Sequence, residues 1–185
     1  MQNSLDEAEI HRIVQNVVRN AMGPGAVHEP IQPGGRKIVA IGADHGGFEL
    51  KGALKSDITA LGFEVSDVGT NSKDAVDYPD FAHAVAQMVG TGKAWRGIMI
   101  DGAGIGSCIV ANKVPRVRAG MAYDISSSNN SREHNDTNVL TLGAGLIGVA
   151  LARQIVKVWL TTEFGGDRHA KRVDKIMAVE RKYLK

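Results

Sequence analysis

The stretch that decides the fold runs from Gly97 to Ser107 and reads GIMIDGAGIGS. Its first half is a short apolar run, typical of a strand buried on both faces. Its second half carries a glycine at every second position, typical of a tight connection from a strand into a helix. Similar apolar runs recur, and we predict strands at 37–42, 63–68, 97–100, 118–123 and 139–142. They alternate with predicted helices that begin at about residues 48, 81, 107, 126, 149 and 170. This alternation predicts an α/β domain with a doubly wound, Rossmann-like, five-stranded parallel sheet flanked by helices.

A separate amphipathic helix is predicted for residues 1–22. Ser4 and Glu7 form a capping-box pattern, and an apolar stripe follows at helical spacing, made of Ile10, Ile13, Val14, Val17 and Val18. Residues 23–35, GPGAVHEPIQPGG, hold three of the chain's five prolines and have the composition of a linker. We therefore divide the chain into a docking helix (1–22), a linker (23–35) and an α/β domain (36–185).

Composition and charge exclude several classes of function. The net charge is +2 without a basic run, so neither a nucleic-acid nor a membrane partner is indicated. The single cysteine, Cys108, excludes an internal disulfide and suits a reducing compartment. No apolar stretch approaches the roughly 20 residues of a transmembrane helix, and the N-terminus does not resemble a secretory signal. We expect a cytoplasmic protein.

The loop from Asp101 to Ser107 carries the clearest chemical signal. Its glycines, Gly102, Gly104 and Gly106, let the backbone approach a ligand and direct N–H groups towards a phosphate or an oxyanion. The spacing is neither GxGxxG nor a GK[ST] phosphate loop, so no nucleotide cofactor is predicted. Asp101, at the end of a buried strand, can act as a general base on a carbon-bound proton. A tight turn without a ligand is the alternative for the loop, and an N-capping role or a salt bridge is the alternative for Asp101.

Other polar residues follow or precede the predicted strands. Ligands of parallel α/β sheets bind outside the carboxyl ends of the strands, and we expect these residues to gather there beside Asp101. They are Asp44 and His45 after the first strand, Asp77 and Tyr78 beyond the second, and His134, Asn135 and Asp136 before the fifth. A lone loop histidine is more often solvated than catalytic, so that alternative stays open for His45 and His134.

Two further features concern charge and metal binding. Arg168 and Arg172, four residues apart near the start of the last predicted helix, can face one anion together. A solvated basic face is the alternative. No pair of histidines or cysteines has the spacing of metal ligands, so no metal site is predicted. Cys108 is expected to pack as a small hydrophobe.

These segments together resemble the family of type B ribose-5-phosphate isomerases and galactose-6-phosphate isomerases. The resemblance extends in unbroken order from Lys37 to about Tyr183. Several separate motifs carry it, which makes it far more specific than any one of them. They are GADHGGF (42–48), DYP (77–79), GAGIG (102–106), ANK (111–113), SREHNDTNVL (131–140), and Arg168-His169 with Arg172.

The resemblance implies an enzyme that interconverts aldose and ketose phosphates through an enediolate, without a metal or other cofactor. It also implies a homodimer or a tetramer in which two subunits share each active site. The implied contacts with the substrate hydroxyls come from Asp44 and Tyr78, and those with the enediolate oxygens from the amides of Gly102, Ala103, Gly104 and Gly106. His134 would assist ring opening with Asn135 beside it, while the phosphate would be bound by His45, Arg168 and Arg172.

Three departures from the family pattern leave the substrate open. Asp101 stands where many members have a cysteine base, and Ser107 where others have a glutamate. Ala103 replaces a Ser or Thr hydroxyl associated with ring opening, and Gly145 replaces an arginine of the phosphate site. Ribose 5-phosphate or a related four- to six-carbon sugar phosphate is expected. A non-catalytic homologue that binds sugar phosphates, and a phosphate-ester or nucleotide binder on a flavodoxin-like scaffold, are the alternatives.

The N-terminal helix lies outside the family resemblance. A short amphipathic helix on a Gly/Pro linker resembles the encapsulation peptides of enzymes packed inside bacterial microcompartments. Its apolar stripe would then dock on a shell protein or on a neighbouring cargo protein. The alternative is that residues 1–22 pack on their own subunit or on the dimer partner.

Overall fold

A five-stranded, all-parallel sheet forms the centre of the domain. The computed structural model describes residues 37–184, and the predicted helix 1–22 and linker 23–35 lie outside that range. The strand order is β2-β1-β3-β5-β4. The strands are Ile38–Ala43 (β1), Glu64–Asp67 (β2), Arg96–Asp101 (β3), Ala119–Met121 (β4) and Val139–Gly143 (β5). The predicted fold class is confirmed.

Six helices within the described residues cover the two faces of the sheet. They are Phe48–Ala60 (α1), Tyr78–Gly90 (α2), Ile105–Ala111 (α3), Ile125–Glu133 (α4), Val149–Thr161 (α5) and Asp167–Tyr183 (α6). No helix among them combines the length and the apolarity that a bilayer crossing requires. The strand order reverses between β1 and β3, and this reversal opens a crevice at their carboxyl ends.

The two central strands explain why the apolar runs were recognisable in the sequence. Every residue of β3 and β5 is buried, as expected for parallel strands covered on both faces. One face packs against α1 and α5, where Leu54 and the fully buried Trp159 are the largest contributors. The other face packs against α2, which approaches closely because β1 and β3 present Gly42 and Gly97. A methyl group at either glycine would come within 2.6 Å of a Val85 methyl carbon.

Three helices begin two or three residues earlier than the sequence predicted. The last helix, α6, begins at Asp167 rather than Ala170, and the starts of α2 and α3 bear on the site at the carboxyl edge. Helix α2 begins at Tyr78 rather than Phe81, since Pro79 fits the first turn of a helix, where its missing N–H is not needed. Helix α3 begins at Ile105 rather than Ser107, directly after Gly104, whose φ of 80° favours glycine. Tyr78 and Gly106 therefore lie in first helical turns, facing the carboxyl edge of the sheet.

Candidate active site

The Asp101 carboxylate organises the glycine-rich loop. Its Oδ1 accepts hydrogen bonds from the amides of Ala103, at 2.8 Å, and Gly104. Its Oδ2 accepts from the amide of Ser107, at 3.2 Å, and from the Ser107 hydroxyl. A carboxylate has about four lone-pair sites, so this set uses all of them. Asp101 is only 4% exposed. Gly104 is the N-cap residue of α3, so Asp101 is not the N-cap itself, but its carboxylate supports the first turn of the helix through the Ser107 amide.

The loop amides divide into two groups. The sequence analysis expected the amides from Gly102 to Gly106 to face a ligand together, but those of Ala103 and Gly104 point at Asp101 instead. Within the described residues, the amides of Gly102, Ile105 and Gly106 donate to no protein acceptor. These three N–H groups are the ones that remain for a bound anion.

Two further predicted residues lie next to this loop. Asp44 is buried, and its Oδ1 accepts a hydrogen bond of 3.0 Å from the Gly47 amide. A methyl group on Gly46 would lie 3.7 Å from the Gly102 nitrogen, which places the β1 and β3 loops side by side. The Tyr78 ring packs directly on Gly106, because a methyl group there would lie 2.4 Å from the Tyr78 hydroxyl oxygen. The structure therefore brings Asp44, Tyr78 and Asp101 to one crevice.

His45 lies on the rim of the same crevice. Its side chain is exposed, and Nδ1 lies 3.2 Å from both the amide nitrogen and the carbonyl oxygen of Val76. This contact ties the loop after β1 to the segment that leads into α2. Because Nδ1 is engaged, Nε2 is the ring nitrogen that remains for a ligand.

Ala103 and Gly145, which stand where other family members have polar or charged residues, support the loop through their backbone atoms. The Ala103 carbonyl accepts a hydrogen bond of 3.2 Å from the Tyr123 hydroxyl. The Gly145 amide donates to the Gly102 carbonyl at 3.0 Å. Together with Ser107, these contacts fix the loop from three sides. The sequence analysis did not identify Tyr123, and it noted Ser107 only as a position where other family members carry glutamate.

Cys108 does not take the place of a cysteine base. The side chain is half-buried in α3, with Sγ 3.6 Å from the Ala119 carbonyl oxygen. Burial raises the pKa of the Cys108 thiol, so the thiol stays protonated at neutral pH. This agrees with the expectation that Cys108 packs as a small hydrophobe.

The remaining predicted residues lie at the opposite edge of the sheet. Residues 134–138 precede β5, whereas Asp101 ends β3, which pairs with β5 in parallel. The two edges are separated by the length of a strand of five or six residues, roughly 17–20 Å. The expectation that His134 and Asn135 gather beside Asp101 is therefore wrong for a single chain. Residues that enter a parallel strand and residues that leave it cannot share an edge.

A second cluster of functional groups forms at this amino edge. The imidazole rings of His134 and His169 stack with centroids 4.1 Å apart and planes 5° apart. Arg168 Nε donates to His169 Nε2 at 3.3 Å, and Arg172 lies one turn further along α6. The cluster is held together by the Gly165 amide, which donates to the Glu133 carbonyl at 2.9 Å.

His169 was part of a sequence motif but was not predicted as a site residue. Burial lowers the pKa of the His169 imidazole, and His134 and the two arginines lower it further. A neutral His169 beside two guanidinium groups leaves the cluster with a net positive charge. That charge suits a phosphate group.

Comparisons with known proteins identify the family. A family model described as Ribose/Galactose Isomerase matches residues 39–176. The chain belongs to the ribose/galactose isomerase family. It is 42% identical to ribose-5-phosphate isomerase B of Escherichia coli, over 79% of this chain and 98% of that protein. It is 40% identical to D-erythrulose-4-phosphate isomerase of Pectobacterium atrosepticum, over 75% of this chain and 91% of that protein.

Solved structures give the same answer for the fold. Ribose-5-phosphate isomerase B of Clostridium thermocellum superposes with a TM-score of 0.78 at 47% identity, covering 80% of this chain and 99% of that one. The type B ribose 5-phosphate isomerase of Trypanosoma brucei gives 0.76 at 42% identity, covering 78% and 99%. The family, the fold and the class of isomerase predicted from the sequence are confirmed.

We predict that Gly106→Ala moves the Tyr78 ring and lowers turnover while the stability of the protein stays nearly unchanged. The new methyl group displaces the Tyr78 ring, which is 37% exposed and free to move. Unfolding free energy should change by no more than about 1 kcal/mol, since alanine is the better helix former. Turnover of a sugar phosphate should fall by about tenfold or more, because misplacing a group by ~1 Å can cost ~10²-fold. Gly148→Ala, where a methyl group meets nothing within 4 Å, is the control. Equal turnover by the two variants would contradict a role for the position of Tyr78.

Proposed function

We propose that this protein interconverts an aldose phosphate and a ketose phosphate of four to six carbons by proton transfer through an enediolate. One observation carries the proposal: a buried carboxylate, Asp101, and unpartnered loop amides lie together in the crevice that ends β1 and β3. A base and oxyanion donors are the two groups that this reaction requires of the protein. Ribose 5-phosphate and its ketose are the first candidates, since one relative is named for ribose 5-phosphate and another for the four-carbon erythrulose 4-phosphate.

The proton transfer is assigned to Oδ2 of Asp101. Of the four groups that donate to this carboxylate, only the Ser107 hydroxyl can rotate away. When Oδ2 takes the proton from the substrate carbon, Ser107 Oγ can turn and accept a hydrogen bond from the new carboxylic acid. The amides of Gly102 and Gly106 would stabilise the negative charge that develops on the substrate oxygen. Asp101 then returns the proton to the neighbouring carbon, while the hydroxyl proton of the substrate passes between O2 and O1, so that the carbonyl and the hydroxyl exchange places.

The other predicted residues bind the substrate around this step. Asp44 and Tyr78 are positioned to contact hydroxyl groups at the carboxyl edge. His134, with Asn135 beside it, would move the proton that opens a cyclic sugar. The phosphate would be bound by the cationic groups at the rim and at the amino edge, His45, Arg168 and Arg172. No step of this scheme requires a metal or another cofactor.

A complete site requires two copies of the chain, because the two groups of residues lie at opposite edges of the sheet. Exposed apolar side chains flank each group. Ile105 and Ile109, 51% and 58% exposed, adjoin the loop, and Ile176 and Val179, 46% and 55% exposed, lie on α6. A partner that covers both surfaces would bring the carboxyl edge of one copy to the amino edge of the other. We therefore propose a homodimer with shared active sites. A tetramer would contain two such dimers.

A non-catalytic sugar-phosphate-binding homologue is the second candidate. The observation that favours it is the Asp101 carboxylate, whose four acceptor sites are all used within the loop. In that case Asp101 is a scaffold for the loop, and the site binds a sugar phosphate without changing it.

We predict that Asp101→Asn distinguishes these two candidates. Asparagine can still accept from the Ala103 and Gly104 amides through Oδ1, and its NH₂ group can donate to Ser107 Oγ, so that only the bond from the Ser107 amide is lost. The loop therefore keeps most of its support while the base is lost. Turnover should fall by about 10²–10⁴-fold with little change in KM. Near-normal turnover by this variant would place the base elsewhere. Cys108→Ser is the control and should stay active.

We predict that two inactive variants restore activity when mixed. Asp101→Asn removes the carboxyl-edge function and His134→Ala the amino-edge function. If each site takes one edge from each copy, a mixed dimer contains one intact site. Random reassociation of equal amounts should then recover about a quarter of the parent turnover. Steady-state assays before and after refolding together measure this. No recovery, with mixed dimers shown by mass spectrometry, would contradict the shared site.

We also propose that residues 1–22 dock the enzyme inside a bacterial microcompartment in the cytoplasm. The apolar stripe and the Gly/Pro linker support this, as does a family match that begins only at residue 39. Deleting residues 1–30 should leave turnover unchanged and abolish co-sedimentation with purified shell assemblies, with Val14→Asp as a point variant of the same stripe. Loss of the folded dimer on deletion would instead indicate packing on the chain's own domain.

A further inference from the structure

We propose that Asp136 is a positioning residue, which holds the His134–Asn135 turn in its working geometry through two guanidinium groups. The inference rests on the proposed function, because it assumes that His134 acts on the substrate. Asp136 lies two residues after His134, in the turn between α4 and β5. Neither the sequence analysis nor the comparisons assign a role to its side chain.

The contacts form a clamp on both sides of the Asp136 carboxylate. Arg132 Nη1 donates to Oδ1 and Arg118 Nη2 donates to Oδ2, each at 2.8 Å. Arg118 Nε also donates to the Asp136 carbonyl oxygen at 2.9 Å. One aspartate is therefore held at its side chain and at its backbone by two cations from different elements.

The backbone at Asp136 shows why this clamp is needed. Its φ is 48°, in the left-handed region where α4 ends. Glycine usually occupies such a position at the end of a helix, because it lacks a Cβ. The chain places aspartate there instead, and aspartate is one of the few other residues that tolerate this conformation. At this position aspartate supplies a carboxylate for the two guanidinium groups, which glycine would not.

The residues after Asp136 are fixed in the same way. The Thr137 hydroxyl accepts a hydrogen bond of 3.0 Å from the indole of Trp159, which is fully buried. Asn138 Oδ1 accepts from the Arg118 amide at 2.7 Å. Arg132, which is 4% exposed, donates to the Thr137 carbonyl oxygen. The turn is anchored from residue 136 onwards.

His134 has few anchors of its own. Its amide donates to the Asn130 carbonyl at 2.9 Å as α4 ends, and its ring has only the stacking contact with His169 among the interactions described. The direction of the His134 side chain therefore depends on how the turn continues into Asp136. A clamp at Asp136 fixes that direction without itself touching the substrate.

The test is a double-mutant cycle on the dimeric, full-length enzyme, with Asp136→Asn and His134→Ala. Asparagine also tolerates the left-handed conformation, so the first change removes the charge and keeps the backbone. We expect Asp136→Asn to lower kcat by about 10–100-fold with KM nearly unchanged, because a displaced catalytic group slows chemistry. In the His134→Ala background the same change should lower kcat by less than about twofold, because its effect passes through His134.

Asp67→Asn is a matched control. Asp67 is also bridged by two cations, with Lys51 at 2.8 Å and Lys55 at 2.7 Å, and its side chain is about as exposed, 25% against 30% for Asp136. A purely structural role predicts that both variants lose thermal stability and activity alike. Arg118→Lys is the second variant, since lysine cannot make the two-point contact. If Asp136→Asn does not fold, the double-mutant cycle is measured with Arg118→Lys and His134→Ala instead.

The outcomes distinguish a failure of the positioning role of Asp136 from a failure of the proposed function. Multiplicative loss of kcat in the double variant, or an equal loss in Asp67→Asn, would overturn the positioning role of Asp136. A parent enzyme without isomerase activity on any four- to six-carbon sugar phosphate would overturn the proposed function, and this inference with it. We expect Asp136→Asn to lower kcat without changing KM. We expect no such loss in Asp67→Asn or when Asp136→Asn is added to His134→Ala.

Discussion

The polarity of a parallel sheet is the constraint on which this site depends. All five strands run the same way, so residues that leave strands meet at one edge and residues that enter strands meet at the other. Asp44 and Asp101 leave β1 and β3, whereas His134 and Asn135 enter β5. One chain therefore carries two separate groups of residues. One combines a carboxylate with amide donors, and the other combines arginines with imidazoles. This polarity is the physical reason for the proposed homodimer, because a second copy can supply the edge that one chain lacks.

The fold was predictable because its signals are local. Buried central strands appear as uninterrupted apolar runs, and the Gly-rich connections mark their carboxyl ends. The starts of α2 and α3 differ from the predicted ones by three and two residues, because Pro79 lies inside the first turn of α2 and Gly104 directly precedes α3. Proline is common in the first turn of a helix, and glycine is one of the residues found just before a helix. The sequence contains a residue of each kind at these two starts.

The site was less predictable, because its geometry depends on contacts between distant segments. The motifs singled out the candidate residues, whose roles stay predictions, but the assumption that all polar loops share one edge failed for His134 and Asn135. The hydrogen bonds from Ser107 and from two loop amides to Asp101 require the curvature of the loop, which spacing alone does not determine. The stacking of His169 on His134 links α6 to the end of α4 and leaves no periodic signal in the sequence.

The central claim, isomerisation by a protein base, is tested most directly by NMR in D₂O. The full-length enzyme would be incubated with a panel of four- to six-carbon aldose and ketose phosphates. The account predicts interconversion of at least one pair, with solvent deuterium incorporated at C1 or C2, because a carboxylate that holds the proton can exchange it with solvent. Tight binding without interconversion or deuterium incorporation across the panel would contradict the account and favour a sugar-phosphate-binding protein.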